Sequence, residues 1–193
     1  MMSAIAAFLQ LIWFTLVQPA QMAQMIMQRN YDRGTLWMGV LLVSILGIIL
    51  VLVLQMLTTV AVPIGASPAV YGIMMGCILI VLAMAFYLTG QMLGGTSTFP
   101  HAFALLIWLE MTSLVVRAVQ GVIGLISPEI AGVISIISAI ALFWVMLNFV
   151  NEAHKFNNFG RAFATIIIAI VGISFGFGLF LSVIGVSSQL EMI

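Results

Sequence analysis

Two ionisable side chains, Glu110 and Arg117, lie inside one long apolar stretch of the sequence. On a helix they share a face and are separated by about 10 Å along its axis. In hydrocarbon each charge would cost about 2.5 to 3.5 kcal/mol, so both are expected to face a bundle interior, with a third group or a water completing the link. Two interpretations stay open: a polar pocket or proton path between helices, or a structural pair that fixes which helices meet.

Other residue types that could carry chemistry are isolated. Met22, Met25 and Met27 have the M-x-x-M-x-M spacing that can bind Cu(I) through soft sulfur. However, the 14 methionines are spread through nearly every segment, and His101 and His154 do not accompany this cluster. The sequence also lacks phosphate-binding loops, zinc-protease and serine-hydrolase motifs, and paired carboxylates. We therefore expect no metal, no cofactor and no enzymatic activity.

The composition places the chain in a membrane. Of its 193 residues, 64% are hydrophobic and 5% are charged, whereas about 25% of the residues of a soluble domain are charged. Five basic and five acidic residues balance, so no positive field is available to attract nucleic acid. The single cysteine, Cys77, is expected to fill space in the core or toward lipid. The expected partners are the lipid bilayer and a membrane protein, which includes a second copy of this chain.

Five apolar stretches are long enough to cross a hydrocarbon core about 30 Å thick as helices. They comprise residues 36–58, 69–92, 102–126, 130–150 and 162–186. Between the third and fourth, Ser127-Pro128-Glu129 predicts a very tight hairpin in which Pro128 opens the next helix. Residues 151–160 are expected to form the last and most polar loop. The predicted fold is an all-α membrane protein with a five-helix bundle over residues 36–193.

The first 35 residues are expected to form short helices at the membrane surface. Residues 3–17 are apolar but too short to span, and Pro19 ends them. They predict an interfacial or re-entrant helix, or a helix packed across the ends of the bundle. A second short helix is expected over residues 20–28, with Met22, Met25 and Ile26 on one face.

Basic residues predict the orientation. Arg29, Arg33, Lys155 and Arg161 all fall on one side when the five stretches are threaded through a bilayer. The positive-inside rule then places the amino terminus in the cytoplasm and the carboxyl terminus outside. A bacterial inner membrane is the expected location.

Small residues predict one helix contact. Gly72 and Gly76 in the second stretch, and Gly172 and Gly176 in the fifth, have the small-x-x-x-small spacing that lets helices approach closely. Counted by helical rise, Gly76 and Gly176 fall at nearly the same depth, so we expect these helices to touch there. The alternative is that isolated glycines are simply common in membrane helices.

The order of several features is similar to that of a known family. A proline-bearing amphipathic segment (residues 16–27) precedes five spans, a Gly94-Gly95-Thr96-Ser97-Thr98-Phe99 turn joins the second and third, and Asn148-x-x-Asn151-Glu152-x-His154 leads toward Arg161 and the last span. In this order, over almost its whole length, the chain resembles a small bacterial member of the Yip1 domain family. The resemblance implies five spans and a cytoplasmic amino terminus.

The resemblance also implies a function. Eukaryotic relatives act in trafficking between the endoplasmic reticulum and the Golgi, where they bind small GTPases and help to shape membranes. Their long polar amino-terminal region is not in this sequence, so GTPase binding is not carried over. By resemblance, the expected partner surface is the turn at Gly94 and Gly95 together with the loop that holds Glu152, His154, Lys155 and Arg161.

The sequence thus predicts a non-enzymatic membrane-organising scaffold or partner-binding protein. Its expected working surface is the cytoplasmic face, formed by the short amino-terminal helices, the Gly94-Gly95 turn and the loop that holds Glu152, His154 and Lys155. Two alternatives stay open. The first is a transporter of small molecules or lipids that uses Glu110 and Arg117, and the second is an accessory subunit of a larger membrane complex.

Overall fold

The computed structural model describes residues 4–29, 31–57 and 67–183, and every regular element in these ranges is an α-helix. Two short helices open the chain and five long ones follow. In chain order they are α1 (Ala4–Val17), α2 (Pro19–Met27), α3 (Arg33–Leu57), α4 (Pro68–Met92), α5 (Phe99–Ile126), α6 (Pro128–His154) and α7 (Phe159–Val183). Helices α3 to α7 are each long and apolar enough to cross a membrane. The predicted fold class is confirmed.

Side-chain caps explain why two of these helices begin earlier than predicted. Asp32 accepts a hydrogen bond from the Thr35 N–H at 3.2 Å, which starts α3 at Arg33. Asn158 Oδ1 accepts hydrogen bonds from the N–H groups of Gly160 at 2.8 Å and Arg161 at 3.3 Å, which starts α7 at Phe159. Residues 58 and 184–186 of the predicted first and last spans lie outside the described ranges.

One residue, Ser127, separates α5 from α6. Its hydroxyl oxygen accepts a hydrogen bond from the Ile130 N–H at 3.4 Å and donates one to Glu129 Oε2 at 2.9 Å. Pro128 occupies the first turn of α6, where its missing N–H costs nothing. The predicted hairpin is confirmed.

Helix α5 is the centre of the bundle, because its apolar stretch is the most buried of the five long helices and it contacts every other helix except α7. The buried residues of α6 lie between Val145 and His154, and those of α7 between Ala162 and Ala169. Beyond Ala169 the described side chains of α7 are exposed or half-exposed. Packing is therefore tight at the end where α6 stops and α7 starts, and loose at the other end.

We call the tightly packed end the basic end. Helices α3, α5 and α7 begin there and α4 and α6 stop there, as contacts between these segments show. The rings of Trp37 and Phe103 are 6.1 Å apart, and the Thr96 N–H donates to the carbonyl of His154 at 3.2 Å. The basic residues at this end are all exposed, and they are Arg29, Arg33, Lys155 and Arg161.

Helices α1 and α2 pack on the side of the bundle. They meet at a bend of 119°, so they do not form one straight span. Phe8 contacts the ring of Trp108 edge-on, and the Trp108 Nε1–H donates to Thr15 Oγ1 at 2.9 Å. Trp108 lies about 13 Å along α5 from the basic end. Helix α1 therefore lies against the flank of α5 and not across the helix ends.

The face of α2 that enters the core differs from the predicted one. Met22, Ala23 and Ile26 are buried, whereas Met25 is 48% exposed. The buried face is thus rotated toward Ala23 and away from Met25, and Met22 and Met25 lie in different environments. In the described ranges no group of three or more His, Cys, Asp or Glu side chains is arranged to hold a metal ion.

The expected contact between Gly76 and Gly176 is wrong. A Cβ added to Gly72 would lie 2.9 Å from Ile48 Cγ1, and one added to Gly76 would lie 3.3 Å from Ser44 Oγ, so this pair packs on α3. A Cβ added to Gly172 or Gly176 would meet nothing within 4 Å. Helices α4 and α7 do pack together, but near the basic end, where Thr89 Oγ1 donates to the carbonyl of Thr165 at 3.3 Å.

Candidate functional site: a polar cleft at the basic end

A polar cleft with a volume of about 680 Å³ opens at the basic end. Three separate parts of the chain form its walls: the end of α2, the segment that leads from α4 into the first turn of α5, and the end of α6 with the linker that follows it. Its lining consists of amides, hydroxyls, one histidine, one acid, one base and two apolar side chains: Gln24, Met27, Gln28, Thr96, Thr98, His101, Glu152, Ala153, Lys155 and Asn157.

Helix α2 is fixed as one wall of the cleft. Its apolar face is buried against α5 and α6, with Ala23 fully buried. On the opposite face, Gln24 Nε2 donates a hydrogen bond to Glu152 Oε2 at 3.0 Å. This bond crosses from α2 to α6, so it fixes the position of the Glu152 carboxylate in the cleft.

The segment that joins α4 to α5 forms the second wall, and the buried ring of His154 fixes its position. His154 is 2% exposed. Its Nε2 lies 3.1 Å from the carbonyl oxygen of Phe86, and its ring stacks on Phe156 with centroids 5.2 Å apart. A carbonyl oxygen only accepts, so Nε2 carries the proton in this hydrogen bond. His154 was expected on the partner surface, and that expectation is wrong, because the ring packs inside the bundle against Gly90 and Gly95.

The two glycines of the α4–α5 segment have different roles. Gly94 has φ of 85°, a left-handed conformation that favours glycine, and it is exposed at the turn. Gly95 is close to His154: a Cβ on Gly95 would lie 2.6 Å from Cγ of the histidine. Gly95 therefore lets the segment dock on α6, and Gly94 lets it reverse direction.

The linker from α6 to α7 is shorter than predicted and forms the third wall. Residues 151–154 belong to the last turn of α6, which leaves only residues 155–158 as the linker. Lys155 and Asn157 both adopt the left-handed conformation, with φ of 52° and 50°. Asparagine tolerates this region, whereas lysine seldom occupies it. Both side chains line the cleft.

The structure brings together part of the surface that the sequence predicts. Glu152 and Lys155 line the cleft, Gly94 is exposed beside it, and Arg161 is exposed at the same end but is not part of the lining. Sequence reasoning placed the short amino-terminal helices on this surface without naming a residue of α2, and it missed the start of α5. Gln24 and Gln28 are four residues apart at the end of α2, so the sequence already indicated a polar stripe there. It did not indicate that this stripe lies opposite Glu152.

A second polar site lies along the bundle, between α4 and α5. Arg117 Nη1 and Glu110 Oε1 are 3.6 Å apart, and their side chains are 48% and 21% exposed. The two side chains approach each other closely enough for an ion pair, because a long side chain on a helix leans toward the amino end and reaches the earlier residue. Both residues line an open cleft of about 210 Å³. The expected orientation toward the bundle interior is wrong for Arg117, whereas Glu110 is mostly buried, with its Oε1 inaccessible.

Comparisons with known proteins identify the family. No curated protein and no solved structure matches the chain. The sequence profile of the Yip1 domain matches residues 13–181, which include all five long helices except the last two described residues of α7. The chain therefore belongs to the Yip1 domain family.

Proposed function

We propose that this protein is a non-enzymatic membrane-organising protein that binds a partner protein in the cleft at the basic end. Membership of the Yip1 domain family supports a membrane role. We further propose that the protein resides in a bacterial inner membrane with the basic end in the cytoplasm, because four of the five basic residues lie at that end.

The conformation of Lys155 is the observation that carries this proposal. An L residue in the left-handed region costs about 1–2 kcal/mol, and glycine is the usual residue directly after a helix. Lysine at this position gives up stability while it places a cation in the same cleft as Glu152. Such strain is often kept where a side chain is needed for function.

The cleft suits a short polar segment of a protein. It presents one carboxylate and one ammonium group, together with amides and hydroxyls that donate and accept hydrogen bonds. Its volume of about 680 Å³ is within the range of about 300–1,000 Å³ that is typical of ligand sites. A partner that offers one basic and one acidic side chain would match both charges.

Site-specific photo-crosslinking in cells tests the partner site. A crosslinker at Gln28, which lines the cleft, should capture a discrete partner, whereas one at Gln21, exposed on the same helix outside the lining, should not. Lys155→Gly should reduce the capture at Gln28, while Arg161→Gly should leave it unchanged. Equal capture at both glutamines, or capture that is insensitive to Lys155→Gly, would refute the proposal.

Cysteine labelling tests the orientation. Cys77 is the single cysteine, so Cys77→Ser gives a background without thiols. In that background, a membrane-impermeant maleimide should label Glu129→Cys in intact cells and Lys155→Cys only after lysis. Labelling of both positions from the same side would overturn the proposed topology.

A transporter is the second candidate, and the open cleft at Glu110 and Arg117 favours it. In proteoliposomes, flux of a small molecule or lipid that disappears in Glu110→Gln would support transport. Loss of stability without any flux would leave the partner-binding function as the better account.

A further inference from the structure

The cleft between α4 and α5 lies on a face of the bundle that the described residues leave open. Arg117 is 48% exposed, and Met74 and Ile78 beside it are 45% and 54% exposed. Both helices are long and apolar enough to cross a membrane, so lipid is the surrounding medium at this face. The cleft therefore exposes an acid and a base to the bilayer.

Several hydrogen-bonding groups of this ion pair have no hydrogen-bond partner among the described residues. Glu110 Oε1 is buried and accepts no hydrogen bond from the described residues, and its 3.6 Å distance to Arg117 Nη1 is longer than a hydrogen bond. A guanidinium has five N–H donors. An exposed guanidinium in hydrocarbon is costly unless an anion or water satisfies these donors. Glu110 Oε1 thus lacks a hydrogen-bond donor, and the N–H groups of Arg117 have no hydrogen-bond acceptor among the described residues, although the two charges form an ion pair.

The cleft gives a headgroup a route to this pair. Along α4 its lining extends from Tyr71 to Leu82, about 16 Å of helix. Tyr71 lies in the first turn of α4, at the end of the bundle opposite the basic end, whereas Glu110 is near the middle of α5. A headgroup can enter beside Tyr71 at the membrane surface and move inward along α4. The apolar side chains between these positions suit the start of an acyl chain.

Charge selects the kind of headgroup. The pair holds one negative and one positive group, so a purely anionic headgroup would meet Glu110 unfavourably. A zwitterionic headgroup pairs its phosphate with Arg117 and its cation with Glu110. A primary ammonium donates hydrogen bonds, which Glu110 Oε1 lacks, whereas a quaternary ammonium has no N–H to donate. A volume of about 210 Å³ equals the share of about seven waters, enough for a small headgroup and too small for a folded peptide segment.

We propose that this cleft binds the headgroup of a zwitterionic phospholipid with a primary amine, with its phosphate at Arg117 and its ammonium at Glu110. This site is separate from the cleft at the basic end. Its test is therefore independent of partner capture at Gln28.

Native mass spectrometry of the full chain with defined lipids tests the proposal. The probes are phosphatidylethanolamine, phosphatidylcholine and phosphatidylglycerol with identical acyl chains. The wild-type protein should retain phosphatidylethanolamine at least about tenfold better than the other two, the effect of a charge-assisted hydrogen bond. Glu110→Gln should abolish the preference over phosphatidylcholine, and Arg117→Gln should abolish retention of all three. Equal retention of the three lipids, or strongest retention of phosphatidylglycerol, would overturn the proposal.

A matched pair of tryptophan variants covers the case in which the charge variants fail to fold. Met74→Trp fills the cleft and leaves the ion pair intact, whereas Met84→Trp alters a methionine of nearly equal exposure on α4 outside the lining. Met74→Trp should lower phosphatidylethanolamine retention about tenfold, and Met84→Trp should leave it unchanged. Identical retention in both variants would contradict binding in this cleft.

Discussion

The imidazole of His154 fills the space that a side chain on Gly90 would need, since a Cβ there would lie 2.6 Å from Cδ2 of the histidine. The same ring lies against Gly95, and its Nε2 bonds the Phe86 carbonyl at 3.1 Å. One buried side chain thus joins the end of α6 to the end of α4 and to the turn that follows. Two walls of the cleft at the basic end depend on this fit.

Gly90→Ala should destabilise the protein by about 1–3 kcal/mol, because the added methyl group overlaps the His154 ring and the surrounding core has little room to shift. Thermal unfolding in detergent, followed by tryptophan fluorescence, measures the effect. Gly132→Ala on α6 is the control, since a Cβ there meets nothing within 4 Å. It should leave the melting temperature unchanged or slightly higher. Equal melting of the two variants would contradict the fit around His154.

Gly72→Leu should destabilise the bundle, because the added side chain would overlap Ile48 on α3. The expected loss is about 1–3 kcal/mol or more. Gly176→Leu should change the free energy of unfolding by less than about 0.5 kcal/mol, since Gly176 faces open space. Denaturant titration of both variants gives the comparison. If Gly176→Leu were the more damaging, α7 would have to pack against another surface at that depth.

Lys155→Gly should stabilise the folded protein by about 1 kcal/mol, because glycine adopts the left-handed conformation without the clash of a Cβ. The same variant should bind the partner less well, so stability and binding should change in opposite directions. Melting temperature and crosslinking at Gln28 report the two effects. Asn157→Gly is the control for stability: it relieves a similar φ but keeps the cation, and because Asn157 also lines the cleft, it is not used to compare binding. A fall in stability with Lys155→Gly would show that the lysine supports the fold.

Asp32 provides a pH-dependent test of the α3 cap. Hydrogen bonds from the hydroxyl and the N–H of Thr35 lower the pKa of Asp32 from its ordinary value. Because the folded pKa is the lower one, the ionised carboxylate stabilises the folded state above the unfolded pKa of about 3.9. This contribution is lost as the pH falls through the folded value.

Carbon-13 labelling of aspartate measures this directly, since Asp32 is the single aspartate in the chain. Its carboxyl signal should titrate below the ordinary value, and Thr35→Ala should move the midpoint upward. Thr35→Ser, which keeps the hydroxyl, should leave it near the wild-type value. A midpoint that is the same in all three proteins would rule out the cap.

The length of each apolar stretch was sufficient to predict the long helices. Each span has to satisfy its own backbone hydrogen bonds over the width of a membrane, and a helix does so. The first predicted span, residues 36–58, differs from α3 mainly at its start, where the Asp32 cap adds one turn. Pro128 marked the start of α6 in sequence and in structure. The family was also recognisable from the sequence, since the order of turns and polar residues resembles that of the family over almost the whole chain.

Side-chain direction and helix pairing were decided by the tertiary structure. Gly76 and Gly176 have similar depths along their helices. Depth does not determine which neighbouring helix a glycine faces, and Gly76 packs on α3. His154 looked like a surface residue because its neighbours in sequence are polar. Only the approach of Gly90 and Gly95, 59 to 64 positions away, makes room for it inside.

The sequence by itself determined a membrane protein of five helices with four of its five basic residues at one end, because hydrophobic length and charge are properties of each segment alone. The tertiary structure decided that Gln24, Thr96 and Lys155 line one cleft, and that Glu110 and Arg117 line another beside α4. These arrangements depend on how helices rotate and bend against one another, which is set by packing between residues distant in the chain.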